Sequence, residues 1–112
     1  MPTDTPLLVL CQAPDADTAA RLARLLVERR LAACVNQLAA CRSVYRWEGR
    51  IEAADEVPLL IKTTQARYAA LEATLRAEHP YELPEIIALP LTAGLPDYLD
   101  WIGRETGTGQ EE

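Results

Sequence analysis

An α+β fold is predicted for this chain: a ferredoxin-like βαββαβ sandwich with an antiparallel sheet, a long hairpin between the second and third strands and a short C-terminal helix. Three observations predict it. Apolar strand-like runs stand at residues 7–10, 59–61 and 86–89. Two stretches carry apolar residues three or four apart, the spacing of a core-facing helix. Between them an alternating segment, Ser43 to Trp47, meets the Glu48-Gly49 pair, where glycine accepts the positive φ of a tight hairpin. The resulting order is strand, helix, strand, strand, helix, strand, short helix. That order suits a split βαβ unit with both main helices on one sheet face.

Each element has its own warrant. Leu7, Leu8, Val9 and Leu10 form the first strand, ending at Cys11. Asp15 or Asp17 caps a helix running to about Arg30, with Ala19, Leu22, Ala23 and Leu26 as its stripe. An extended region covers residues 34–47, and the chain returns through Ile51, an acidic patch and the run from Val57 to Lys62. Pro58 has no N–H for a ladder, so this third strand is expected to begin there, at an edge or bulge. Thr63 or Thr64 caps the second helix, whose stripe is Tyr68, Leu71, Leu75 and His79. Pro80 and Pro84 force an elbow, and the last strand runs over residues 85–89. A short helix over residues 97–102 brings Tyr98, Trp101 and Ile102 to the body. The domain is therefore placed at 7–102, after a flexible start at 1–6 and before a disordered tail at 103–112.

Composition bounds the function. The chain has 112 residues, 49% of them hydrophobic, enough for one core and one domain. Eleven basic residues against seventeen acidic ones give a net charge of -6, which speaks against a nucleic-acid partner. Arg21, Arg24, Arg29 and Arg30 read as the solvated face of the first helix. No apolar run approaches the ~18 residues of a membrane span, and no secretory leader pattern opens the chain. Cys11, Cys34 and Cys41 are odd in number and lack a CxxC pair, which favours reduced thiols and a cytoplasmic home.

The apolar strands are unbroken, as in sheets buried on both faces. Two helices cover one face only, and a large bare apolar face is rare on a soluble monomer. Copies of the same chain are the economical cover. The hairpin agrees: residues 34–47 would span roughly 45 Å fully extended, against about 17 Å for a five-residue first strand. The hairpin is expected to overhang its own sheet, with Tyr45 and Trp47 as contacts between copies. A bend at residues 39–41 is the alternative.

Side-by-side, parallel first and third strands would collect Cys11, Cys34, Asn36, Lys62, His79, Tyr81 and Glu85 at one rim. A thiolate with an imidazole suits copper or zinc, although one chain needs a carboxylate such as Glu78 or Glu85, water or another subunit to complete the ligand set. The plainer readings are buried thiols at Cys11 and Cys34, a hydrogen-bonded helix end at His79 and packing anchors at Tyr45, Trp47 and Trp101. Cys11 as a nucleophile would require His79 as its base. There is no glycine-rich phosphate loop, HExxH helix or GxSxG elbow.

Several segments together resemble the CutA family of divalent-cation tolerance proteins. They are Leu10-Cys11-Gln12-Ala13-Pro14-Asp15, Leu31-Ala32-Ala33-Cys34-Val35-Asn36, Ser43-Val44-Tyr45-Arg46-Trp47-Glu48-Gly49, Ile61-Lys62-Thr63 and His79-Pro80-Tyr81. The likeness runs from about Leu7 to Ile102. It implies a homotrimer of ferredoxin-like subunits, similar to PII-like signalling proteins, with a role in tolerance to copper and other divalent ions and no catalysis. It also implies metal ligands at Cys11 and His79, with Glu78 where some members carry a second histidine. The expected function is a non-enzymatic, cytoplasmic, trimeric protein that binds copper(II) or another divalent cation weakly. The alternative is a PII-like sensor or scaffold whose inter-subunit cleft, near Cys34, Asn36, Lys62, Tyr81 and Glu85, takes a small anionic ligand or a partner protein.

Overall fold

Alternation of apolar side chains shapes the first strand. In a computed structural model, which describes residues 2–107, β1 (Pro6–Ala13) buries Leu7, Val9, Cys11 and Ala13 on one face. Leu8, Leu10 and Gln12 lie half-buried on the other. Asp15 then caps α1 (Ala16–Glu28), accepting a hydrogen bond from the Thr18 amide at 2.8 Å. Ala19, Leu22 and Leu26 of α1 are wholly buried against the sheet.

The extended region expected over residues 34–47 is two strands, β2 (Cys34–Gln37) and β3 (Cys41–Trp47). Both pair with one long strand, β4 (Arg50–Thr64). Pro58 accounts for the break. Its carbonyl accepts from the Leu38 amide at 3.0 Å, so its nitrogen faces the same side, where it has no hydrogen to offer. The ladder lapses there and resumes at the Cys41–Glu56 pair. Pro58 thus lies inside the strand, at the gap between two partners, and not at the strand's start. Glu48 (φ 50°) and Gly49 (φ 80°) make the turn into β4.

α2 (Gln65–Glu78) begins without a threonine side-chain cap; the Thr5 and Thr3 carbonyls accept from the Gln65 and Ala66 amides at 2.9 and 2.8 Å. β5 (Ile86–Pro90) follows the proline elbow, and α3 (Pro96–Glu105) runs three residues beyond its expected end. Residues 108–112 of the expected tail lie outside the described residues.

The sheet order is β2-β4-β1-β5, with β3 beside the outer part of β4. The α+β class and the antiparallel sheet are as expected. One expectation is corrected: the first strand and its long neighbour are adjacent but antiparallel, with Cys11 opposite Leu59 and Leu8 opposite Lys62. The crossover through α1 makes β2 run parallel to β1, and the hairpin strand inserted between them must run the other way.

α1 and α2 cover one sheet face, where Val9, Leu59, Ile61, Leu71 and Leu75 form the centre of the core. The other face carries the row Leu60, Leu10, Ile87 and the row Lys62, Leu8, Leu89. α3 packs against β4 and β1, yet Ile87 and Leu89 stay 52% and 48% exposed. β3 and the first half of β4 project past the end of β1 at Ala13 as a two-stranded arm, giving a molecule of 47 × 26 × 23 Å.

Candidate functional site

Pro80 stops α2 and sends His79 out of the helix at its C-cap, toward the end of β1. The imidazole is buried, 6% exposed, and both its nitrogens are engaged. The Tyr81 amide donates to Nδ1 at 3.1 Å. Nδ1 is therefore bare, the proton sits on Nε2, and Nε2 donates to the Gln12 carbonyl at 2.6 Å. The His79 and Tyr81 rings lie 4.7 Å apart between centroids.

Tyr81 carries the contact onward to the arm. Its hydroxyl donates to Glu56 Oε2 at 2.9 Å. Burial, then the Glu56 bond, pushes the phenol above its ordinary value, so the proton stays on tyrosine. Between the arm and the 81–85 loop opens a cleft of about 740 Å³, lined among others by Tyr45, Trp47, Glu56, Tyr81, Glu82 and Glu85. Cys11 stands behind this rim, 1% exposed, with Sγ 3.9 Å from the Gln12 carbonyl. Burial, helped by the nearby Glu85 and Glu56 carboxylates and opposed by the Gln12 backbone bond, pushes its thiol up to about 11.

The antiparallel pairing splits the single rim that parallel strands would have made. Cys34, Asn36 and Lys62 gather at the opposite end of β4. There Lys62 Nζ donates to Asn36 Oδ1 and lies 4.0 Å from Cys34 Sγ, with the Tyr98 phenol beside the same thiol. Cys11, His79, Tyr81 and Glu85 share the first rim, and Glu56 joins them. Sequence reasoning missed Gln12 and Glu56. Gln12 acts through its backbone carbonyl, which no side-chain pattern announces; Glu56 sat in an acidic run until register placed it opposite Cys41 and within reach of Tyr81.

The residues do not fit a ready-made copper centre. An ion at Cys11 and His79 would have to displace the buried thiol's proton and one of the imidazole's two hydrogen bonds. Glu78 is clamped by Arg21, which donates to its carboxylate at 3.1 Å and to its carbonyl at 3.0 Å. Among the described residues no three His, Cys, Asp or Glu side chains are grouped to hold a metal ion. Nor is Cys11 set up as a nucleophile: its one candidate base gives its Nε2 proton to Gln12.

The model of the CutA1 divalent ion tolerance protein family matches residues 7–105. The chain belongs to that family. A divalent-cation tolerance protein CutA from Pectobacterium atrosepticum is 46% identical over 104 residues, covering 89% of this chain and 94% of the relative. The crystal structure of CutA from Xylella fastidiosa superposes with a TM-score of 0.89 at 46% identity, covering 92% of this chain and 99% of that one. The structure described as the periplasmic divalent cation tolerance protein CutA from Archaeoglobus fulgidus gives 0.88 at 37% identity, covering 91% and 99%. One family member is thus described as periplasmic. In this chain no helix of the described residues is long and apolar enough to cross a membrane.

Proposed function

We propose that this chain serves divalent-cation tolerance as a homotrimer, meeting copper(II) or a related divalent ion weakly at the acidic cleft between its arm and its 81–85 loop. The observation that carries the reading is that Glu56, Glu82 and Glu85 line one cleft, half-built by the projecting arm. Among the described residues Arg46 is the one basic residue beside them, and the three carboxylates are not grouped within one chain. Carboxylates with tyrosine and backbone oxygens suit divalent ions, and an incomplete set within one chain binds weakly until a neighbour or water completes it. Family membership supports the tolerance role. The half-exposed Ile87 and Leu89 on the uncovered sheet face and the overhanging arm support assembly, and the strand order supports a ferredoxin-like, PII-like subunit. A cytoplasmic location suits the three free thiols.

A small anionic ligand finds less support. Tyr81 and Glu85 share their cleft with two further glutamates against one arginine, Arg46, while Lys62 stands at the other rim, already bonded to Asn36. Calorimetric titration with copper(II) tests the main reading on the intact protein and on Glu56→Gln, Glu85→Gln and Cys11→Ser. Each carboxylate variant is expected to weaken binding severalfold and Cys11→Ser to leave it nearly unchanged. Equal heats across both glutamine variants would remove the cleft from consideration.

A further inference from the structure

We infer that His79 is a positioning residue: it pins the 79–85 loop to β1 so that Tyr81 can hold Glu56 of the arm in place. The inference starts from what surrounds the ring. α2 must end at Glu78 because Pro80 follows, and His79 leaves it with extended geometry (φ −79°, ψ 138°). That turn aims the imidazole at the edge of the sheet. Gln12 there offers a carbonyl one residue past the last β1–β5 pair, Cys11–Ile86, so that strand supplies it no donor. His79 supplies that donor at 2.6 Å.

The other nitrogen does the second half of the work. Nδ1 accepts the Tyr81 amide at 3.1 Å, closing a tight loop around Pro80 and laying the Tyr81 ring against the imidazole. The Tyr81 hydroxyl then reaches Glu56 at 2.9 Å. A continuous chain of hydrogen bonds therefore links β1 to the arm through His79 and Tyr81. With one nitrogen donating and the other accepting inside a 6%-exposed pocket, the ring keeps no lone pair for an ion. Breaking either bond to free one would leave a buried polar group unpaired.

This deepens the cleft reading by naming what fixes one of its carboxylates, and its first half stands without that reading. Long-range proton–nitrogen NMR of the intact chain, titrated with zinc(II) as a diamagnetic probe, tests it. Expected is a neutral ring protonated at Nε2, with both ring nitrogens unmoved by zinc while the Glu56 and Glu85 carboxylate carbons shift. Ring nitrogens that shift in step with zinc saturation, or a proton on Nδ1, would overturn the inference. In the variants, His79→Ala and Tyr81→Phe should each weaken zinc binding about threefold, and the double variant no more than either alone, because both cut one chain of contacts. Multiplying losses would show that His79 acts independently of Tyr81 and defeat the proposal. If zinc moves no carboxylate, the cation reading fails, and amide exchange decides the pin separately: Tyr81 exchange should rise about tenfold in His79→Ala, and unchanged exchange sinks it.

Discussion

Cys11 shows how one side chain's surroundings set its chemistry. In sequence it is a thiol beside an apolar strand; in the fold it is 1% exposed, backed by Val9 and Leu59 and neighboured by two carboxylates. Each of these disfavours the thiolate, and the value rises from 9.0 to about 11. The folded chain therefore keeps a proton that the unfolded chain sheds above about pH 9. Stability is complete below that point and falls as pH rises toward 11, by about 2 to 3 kcal/mol from this group. Urea unfolding near pH 8 and near pH 11 should show that loss. In Cys11→Ala its share should vanish, leaving the loss from Tyr68, Tyr81 and Tyr98, whose phenols are raised in the same direction. Alkylation follows the same logic: Cys11 should label at least about tenfold slower than the half-exposed Cys34 and Cys41.

Among the elements, the arm depends on its turn. Glu48 adopts φ 50°, a left-handed conformation that costs a side-chain-bearing residue and suits asparagine far better. Glu48→Asn should raise stability by about 0.5–1 kcal/mol in thermal unfolding. Gly49→Ala should lower it by about 1 kcal/mol, and for conformational reasons only, since an added Cβ there meets nothing within 4 Å. The helices depend instead on buried stripes and on tethers. Leu22→Ala in α1 should cost about 2–5 kcal/mol by opening a cavity in a fully closed core. α3 is tied down by Arg30, whose guanidinium donates to the Arg104 and Gly107 carbonyls at 2.9 and 3.3 Å.

At the scale of the molecule, one sheet face is finished and the other is not. The rows through Leu10 and Leu8 end in Ile87 and Leu89, both about half exposed, and the arm presents Val44, Ile51 and Tyr45 to solvent. Apolar area of that extent is stabilised by association. In the homotrimer proposed above, Ile87→Asp or Leu89→Asp should leave the helix-covered core intact but shift sedimentation from three chain masses toward one. An unaltered sedimentation profile in both variants would mean that this face is not where copies meet.

Much of this was legible in the chain itself, because it depends on periodicity and on residues with fixed local geometry. An unbroken apolar run marked β1, three-and-four spacing marked α1 and α2, the Glu48-Gly49 pair marked the turn, and the proline elbow placed His79 at a helix end. Motif content sufficed for the CutA resemblance. Strand direction, register and backbone contacts were not legible, since they arise between segments far apart in sequence. Antiparallel pairing alone parted Lys62 from Cys11. Only folding put the Gln12 carbonyl under His79 and Glu56 under Tyr81. The sequence by itself thus determined which elements form and which family they belong to. The tertiary structure decided which side chains meet, because a hydrogen bond over 67 residues depends on the register of a sheet and not on any local preference.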